Sequence, residues 1–292
     1  MWPLSPPTIS AREAYLSCLT KIQDAELKEN FTEATDSIEE AADRFAEHAT
    51  LRDLHTLNPI AFQPENNGLG VPLKITSDDL SSKLYDQRMA KDGSPGRAIY
   101  DRIKLAPENG LCPLCGVRKV GTLDHYLPRA SFSALAVAPL NLIPACFECN
   151  RFKHNKRPMK EEEQTLHPYI DDITETRWLS ATAFEGAPAK VQFSVGGPPG
   201  WAHVLRERAK YHFDVYRLGE LYSHHATSEM SSIRRLLRQM HSIQGSIGVR
   251  AHLKNCEESA CEHDVNSWRT AMYAALADSD WYCAGGFDAV AF

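Results

Sequence analysis

The chain lacks any run of about 18 apolar residues, the length a membrane-spanning helix needs, and its start, MWPLSPPTIS, lacks the basic-then-apolar layout of a secretory signal. These absences predict a cytoplasmic protein. Thiols stay reduced there, so the eight cysteines read as metal ligands or buried thiols, not as disulfides. A positive net charge is also missing: 32 Lys and Arg face 38 Asp and Glu, a formal charge of −6. That mean does not exclude nucleic acid, because the charge is uneven. Acid gathers from Asp24 to Glu47 (Glu26, Glu29, Glu33, Asp36, Glu39, Glu40, Asp43), whereas Arg151, Lys153, Lys156, Arg157 and Lys160 form one short basic segment. A phosphate feels the local patch and not the average. No internal repeat is evident.

At 292 residues, with 43% hydrophobic and 24% charged side chains, the composition is that of a soluble globular chain with room for one large domain or two to three small ones. Helical spacing dominates both ends. Residues 10–49 read as helix: Ser10 with Glu13 is a capping-box pattern, and Ile38, Ala41, Ala42, Phe45 and Ala49 share one face. The Pro/Asn/Gly-rich stretch Asn58–Pro72 reads as a loop. Helices are predicted at Ser77–Met89, with Ser77 as N-cap, and at Arg97–Leu105, Ala202–Leu221 and Ser228–Ile243; Val191–Val195 reads as a strand. The expected division is a helical region over 1–105, a metal-centred module over 106–165 and a mainly helical region over 166–292. The fold class is mainly α with a small α+β module.

The chemistry concentrates in that module. Cys112-Pro-Leu-Cys115 and Cys146-Phe-Glu-Cys149 can each put two thiolates on one metal, and together they complete a tetrahedral zinc site. On the cysteines alone, a structural zinc module for protein contacts is the better reading. Between the pairs, Thr122-Leu-Asp-His125 closes a β-prone run that begins near Val117. Asn141-Leu-Ile-Pro-Ala-Cys146 forms a second apolar run, and Cys149-Asn-Arg-Phe-Lys153 opens a basic segment with helical character. The expected order is strand, long loop, strand, helix, clamped by zinc.

The stretches GLCPLCGVRKVGTLDHYLPRASF and PLNLIPACFECNRFKHNK, in the order C-x-x-C, DH, N-L, C-x-x-C-N-x-x-K, resemble an HNH endonuclease of the ββα-metal fold over about Asn109 to Lys156. LHPYIDD (Leu166–Asp172) also resembles the Septu-type (PtuB-like) HNH nucleases that accompany ATPases in phage-defence operons. The resemblance implies Asp124 and Asn150 as ligands of a magnesium or manganese ion, and His125 as the general base. It implies Asn141 as the holder of the loop that orients His125, and Arg151, Lys153 and His154 as phosphate contacts. Asn150 stands where many relatives have His, an arrangement shared with the HNH domains of RNA-guided CRISPR nucleases. Cleavage of DNA to a 5′-phosphate and 3′-hydroxyl is expected, with a defence-system ATPase as partner. The rival readings are a zinc-stabilised binding module with an inactive site and an RNA-directed nuclease.

Other features read blandly or stay open. His154 is a solvated helix residue or a phosphate contact, and His167 packs or approaches the site. Cys256, Cys261 and His263 lack a fourth ligand, and His224 and His225 read as capping or solvating a helix end. Trp201, Tyr211, Phe213 and Tyr216 fit a core face. Arg234, Arg235 and Arg238 form either a solvated face or a DNA-tracking stripe. Cys18 and Cys283 read as ordinary thiols.

Overall fold

Ser10 starts the first helix by the reciprocal bonds its sequence foretells: its Oγ accepts from the Glu13 amide at 3.1 Å, and the Glu13 carboxylate accepts from the Ser10 amide at 2.9 Å. In this computed structural model, which describes residues 2–64 and 74–290, that helix is α1 (Ala11–Leu19). The predicted helical stretch 10–49 is divided into three helices. Lys21 turns the chain with a positive φ of 62°, and Asp24 caps α2 (Ala25–Glu33) by accepting from the Leu27 amide. In α3 (Thr35–Leu51), Ile38, Ala41, Ala42, Phe45 and Ala49 are all buried on one face, as the 3.6-residue period requires. Of the Asn58–Pro72 loop, Pro59–Phe62 form a short 3-10 turn, and residues 65–72 lie outside the described residues.

The next helix, Asp79–Ala90, is wound as a π-helix. Just ahead of it Thr76, and not the expected Ser77, makes the capping-box bonds. Thr76 Oγ1 accepts from the Asp79 amide at 3.1 Å and the Asp79 carboxylate accepts from the Thr76 amide at 2.8 Å. A capping box needs an acid or amide three residues on; Thr76 has Asp79 there, whereas Ser77 has Leu80. After α4 (Arg97–Lys104), β1 (Thr122–His125) pairs antiparallel with β2 (Leu142–Ala145), setting Asp124 opposite Ile143 and His125 opposite Leu142. The chain runs from β2 directly into α5 (Phe147–Lys153). The expected strand–loop–strand–helix order is present.

The described chain falls into two compact units, Trp2–Asp171 and Asp172–Phe292. The helical region before residue 105 and the cysteine module therefore share one unit. In the second unit, β4 (Lys190–Val195) covers the predicted strand and pairs with β3 (Leu179–Phe184), which the sequence reading missed. α6 (His203–Val215) ends short of Leu221 because Arg217 adopts a left-handed backbone. α7 runs from Leu218 to His263 with a break at Gly245 (φ 62°), followed by α8 (Trp268–Asp278) and α9 (Asp280–Cys283). His224 and His225 lie inside α7 and not at a helix end, since the helix starts ten residues before the predicted Ser228. Among the described residues, no helix is long and apolar enough to cross a membrane.

Candidate functional site

Cys112 and Cys115 stand on a turn closed by the Gly116 amide donating to the Cys112 carbonyl at 2.7 Å, with Gly116 at φ 66°, a conformation glycine adopts without strain. The Arg118 amide points at Cys115 Sγ (3.5 Å), and the Cys149 amide points at Cys146 Sγ (3.4 Å), the residue that caps α5. All four cysteines are buried, and their sulfurs lie within 4.8 Å of one another. Sulfurs around one tetrahedral zinc sit roughly 3.8 Å apart, inside that limit, so this group could hold zinc. Hydrogen bonds among the four thiols hold Cys115 and Cys146 below the ordinary thiol value and push Cys112 and Cys149 above it. The buried Arg118 Nη1 has no hydrogen-bond partner, and its guanidinium feels Cys115, Cys146 and Cys149, which suits a cluster of thiolates. Trp2 packs within 4 Å of the position a Cβ on Gly116 would take, and its amide donates to the Pro113 carbonyl.

The strands and α5 deliver the remaining residues. Asp124, His125 and Asn150 line one cavity of about 500 Å³, together with Arg151 and His154 at the end of α5. His125 Nε2 lies 2.8 Å from the Ala136 carbonyl. A carbonyl can only accept, so Nε2 carries the proton and Nδ1 keeps the lone pair. Burial pushes the His125 pKa down to about 3, so the ring is neutral at physiological pH. Asn141, fully buried, braces the loop between: its Oδ1 accepts from the Leu127 amide (2.8 Å), and its Nδ2 donates to the carbonyls of Leu127 (3.1 Å) and Leu135 (3.3 Å).

Burial raises the Asp124 pKa to about 6, and Lys153 limits the rise. Lys153 itself is a correction. Expected at the phosphate, it is 4% exposed and turns inward, donating to the His125 carbonyl at 2.5 Å with Nζ 3.4 Å from Asp124 Oδ2. Helix phase explains the difference: Lys153 follows Cys149 by one turn and shares its buried face, while Arg151 projects outward over Phe152. His154 is exposed at the cavity rim, so both of its readings remain compatible with its place. His167 packs among Tyr126, Tyr169 and Phe45, away from the cavity lining.

Other cavity residues escaped the sequence reading, among them Tyr85, Asp86, Tyr100, Arg129 and Asn155. Tyr85 comes from the π-helix, Tyr100 from α4 and Arg129 from the loop after β1. Tyr85 and Tyr100 carry no local signal; Arg129 had one, as a cation four residues beyond His125. Cys256, Cys261 and His263 are not gathered into a metal-ligand group among the described residues; Cys256 Sγ faces His252 Nε2 at 3.5 Å along the same helix. Phe213 and Tyr216 are buried, Cys18 and Cys283 are buried free thiols, and Arg238 and Arg234 reach Asp288 and the Val290 carbonyl.

No family model and no solved structure matches the chain. Over 217 residues it is 27% identical to Protein ea31 of Escherichia phage lambda, a similarity covering 70% of this chain and 73% of the phage protein.

Proposed function

We propose that the chain is a metal-dependent HNH-type endonuclease that hydrolyses phosphodiester bonds of DNA. The observation that carries this reading is the convergence of Asp124, His125 and Asn150 on one cavity, with Asn141 bracing the loop that receives His125. The donor set fits a hard divalent ion. Asp124 and Asn150 offer two oxygens beside an open cavity, and magnesium prefers a few protein oxygens with water filling the rest. Such an ion, when bound, supplies charge neutralisation at the phosphate and the leaving 3′ oxygen. His125 Nδ1 takes the proton from the attacking water, and the Ala136 carbonyl keeps the ring in the tautomer that can do so. Arg151 and His154 stand where a strand entering the cavity would pass them. The four cysteines hold zinc as a structural staple.

The setting we propose is conflict between bacteria and phages, in which the chain serves as a nuclease effector. Similarity to a phage lambda protein fits that setting. An ATPase is the proposed protein partner, on the resemblance to Septu-type nucleases alone.

A specific observation favours a second reading, a zinc-stabilised binding module that does not cut. Lys153 already gives Asp124 a counter-ion where a catalytic cation would sit. Incubating the zinc-loaded chain with plasmid or tRNA and Mg²⁺ or Mn²⁺ separates the readings. The nuclease reading expects plasmid cleavage by the wild type and none by His125→Ala. Equal inertness of both proteins supports the binding module, and cleavage of tRNA alone moves the substrate to RNA.

A further inference from the structure

Arg129 stands on the wall of the same cavity as Asp124 and His125, and the rest of the wall fixes its guanidinium plane. Nη1 spends both hydrogens, donating to the Ser81 carbonyl at 2.8 Å and to Asp86 Oδ1 at 2.7 Å. The guanidinium lies 4.9 Å over the Tyr85 ring, and that ring meets His125 edge-on at 4.5 Å. Ser81, Tyr85 and Asp86 all belong to the π-helix, so one element aims the arginine and walls the histidine. What remains is the Nε–Nη2 edge, whose N–H groups have no acceptor among the described residues. Two parallel N–H donors on one edge of a fixed plane match two oxygens of one phosphate. The other basic candidates lack this arrangement. Lys153 is buried on Asp124, and Arg151 is exposed and, among the described residues, rests on Phe152.

We infer that Arg129 is the residue that grips a backbone phosphate of the nucleic-acid strand in this cavity, through its Nε–Nη2 edge. The inference deepens the nuclease reading and rests on it for the identity of the polymer. Arg129 binds and orients the strand beside His125; it moves no proton.

The test is binding of a labelled DNA duplex to the zinc-loaded full chain, read by fluorescence anisotropy with Ca²⁺ replacing Mg²⁺, between roughly 50 and 200 mM salt. Arg129→Gln is expected to weaken binding about tenfold and to make the log-affinity against log-salt slope shallower by about one. Arg129→Lys restores that slope without restoring the affinity, since an ammonium returns the charge but not the fork. Asp86→Asn tightens binding, because it removes a negative charge from the cavity wall and leaves the arginine in place. A purely structural role predicts instead that Arg129→Gln and Asp86→Asn weaken binding alike, and that result overturns the inference. Unchanged binding and slope in Arg129→Gln overturn it too, and full recovery by Arg129→Lys removes the bidentate grip. The two proposals fail separately: a wild type that binds DNA through Arg129 yet never cuts sinks only the nuclease, whereas one that cuts with Arg129→Gln binding normally sinks only the grip.

Discussion

The imidazole Nε2 of His125 donates to the carbonyl of Ala136, 2.8 Å away and eleven residues further along the chain. Asn141 bonds to Leu135, the neighbour of Ala136, and to both backbone groups of Leu127, just beyond His125. The histidine ring and the loop that fixes it are thus tied by one buried amide. Its orientation belongs to the loop from Leu127 to Asn141 as much as to β1.

Asn141→Ala should cost about 2–4 kcal/mol, because it strands the buried Leu127 amide and two carbonyls in a place water does not reach. If His125 is the base of a nuclease as proposed, kcat on DNA should fall with little change in KM, since the ring loses its orientation while Arg129 and Arg151 keep their places. Urea denaturation and steady-state assays check both parts. A variant as stable as the wild type contradicts the bracing role.

Lys153→Met removes the cation beside a buried carboxylate, a loss on the order of 3–5 kcal/mol when the remaining charge stays buried. The pH dependence carries a definite sign. Burial already raises Asp124 from 3.8 to about 6, and without Lys153 it rises further. Stability linked to a raised carboxyl pKa is complete below the unfolded value and is lost as pH climbs through the folded one. The destabilisation of Lys153→Met relative to wild type should therefore be small near pH 5 and large near pH 8. Thermal unfolding at the two pH values decides it, and an equal deficit at both refutes the pairing.

Acid should weaken divalent-ion binding through Asp124 and not through His125. With a pKa of about 6, Asp124 takes up a proton as pH falls through that value, whereas His125 at about 3 stays neutral. Affinity for Mn²⁺ should drop about tenfold for each pH unit below that point and level off above it, as proton and metal compete for one carboxylate. Calorimetric titration with Mn²⁺ across this range reads the midpoint directly. If the loss of affinity in acid persists in Asp124→Asn, another group carries the titration.

Cys149→Ser, or treatment with a strong chelator, should release zinc and unfold the β1–β2–α5 module, because metal binding energy is folding energy in such a small site. Metal analysis and near-UV circular dichroism follow the two losses together. If the module stays folded after zinc is gone, the cysteines are packing residues and not a staple.

The sequence by itself determined the cysteine cluster and the order of elements around it. Two C-x-x-C pairs, Asp124-His125 and the Asn141 run are local patterns, and local geometry shapes the backbone they sit on: the turn after Cys115 uses Gly116 at positive φ, and a strand alternates its faces. Capping was legible for the same reason, at Ser10 with Glu13, though Thr76 outcompeted Ser77 through an acid three residues away. Some of the secondary structure was not legible. β3 is built largely from Ser, Ala and Thr, which give little alternation to read, and the helix containing His224 and His225 continues through a polar stretch whose buried positions, Tyr222 and Ala226, are few.

Only the tertiary structure decided what the side chains face. The motif put Lys153 among the phosphate contacts, but packing against β1 turned it onto Asp124, because a buried carboxylate needs a counter-ion more than the surface needs another cation. Tyr85, Tyr100 and Arg129 come from three separate segments, and no spacing along the chain relates them. Burial set the protonation of Asp124 and His125, and burial is a property of everything folded around them.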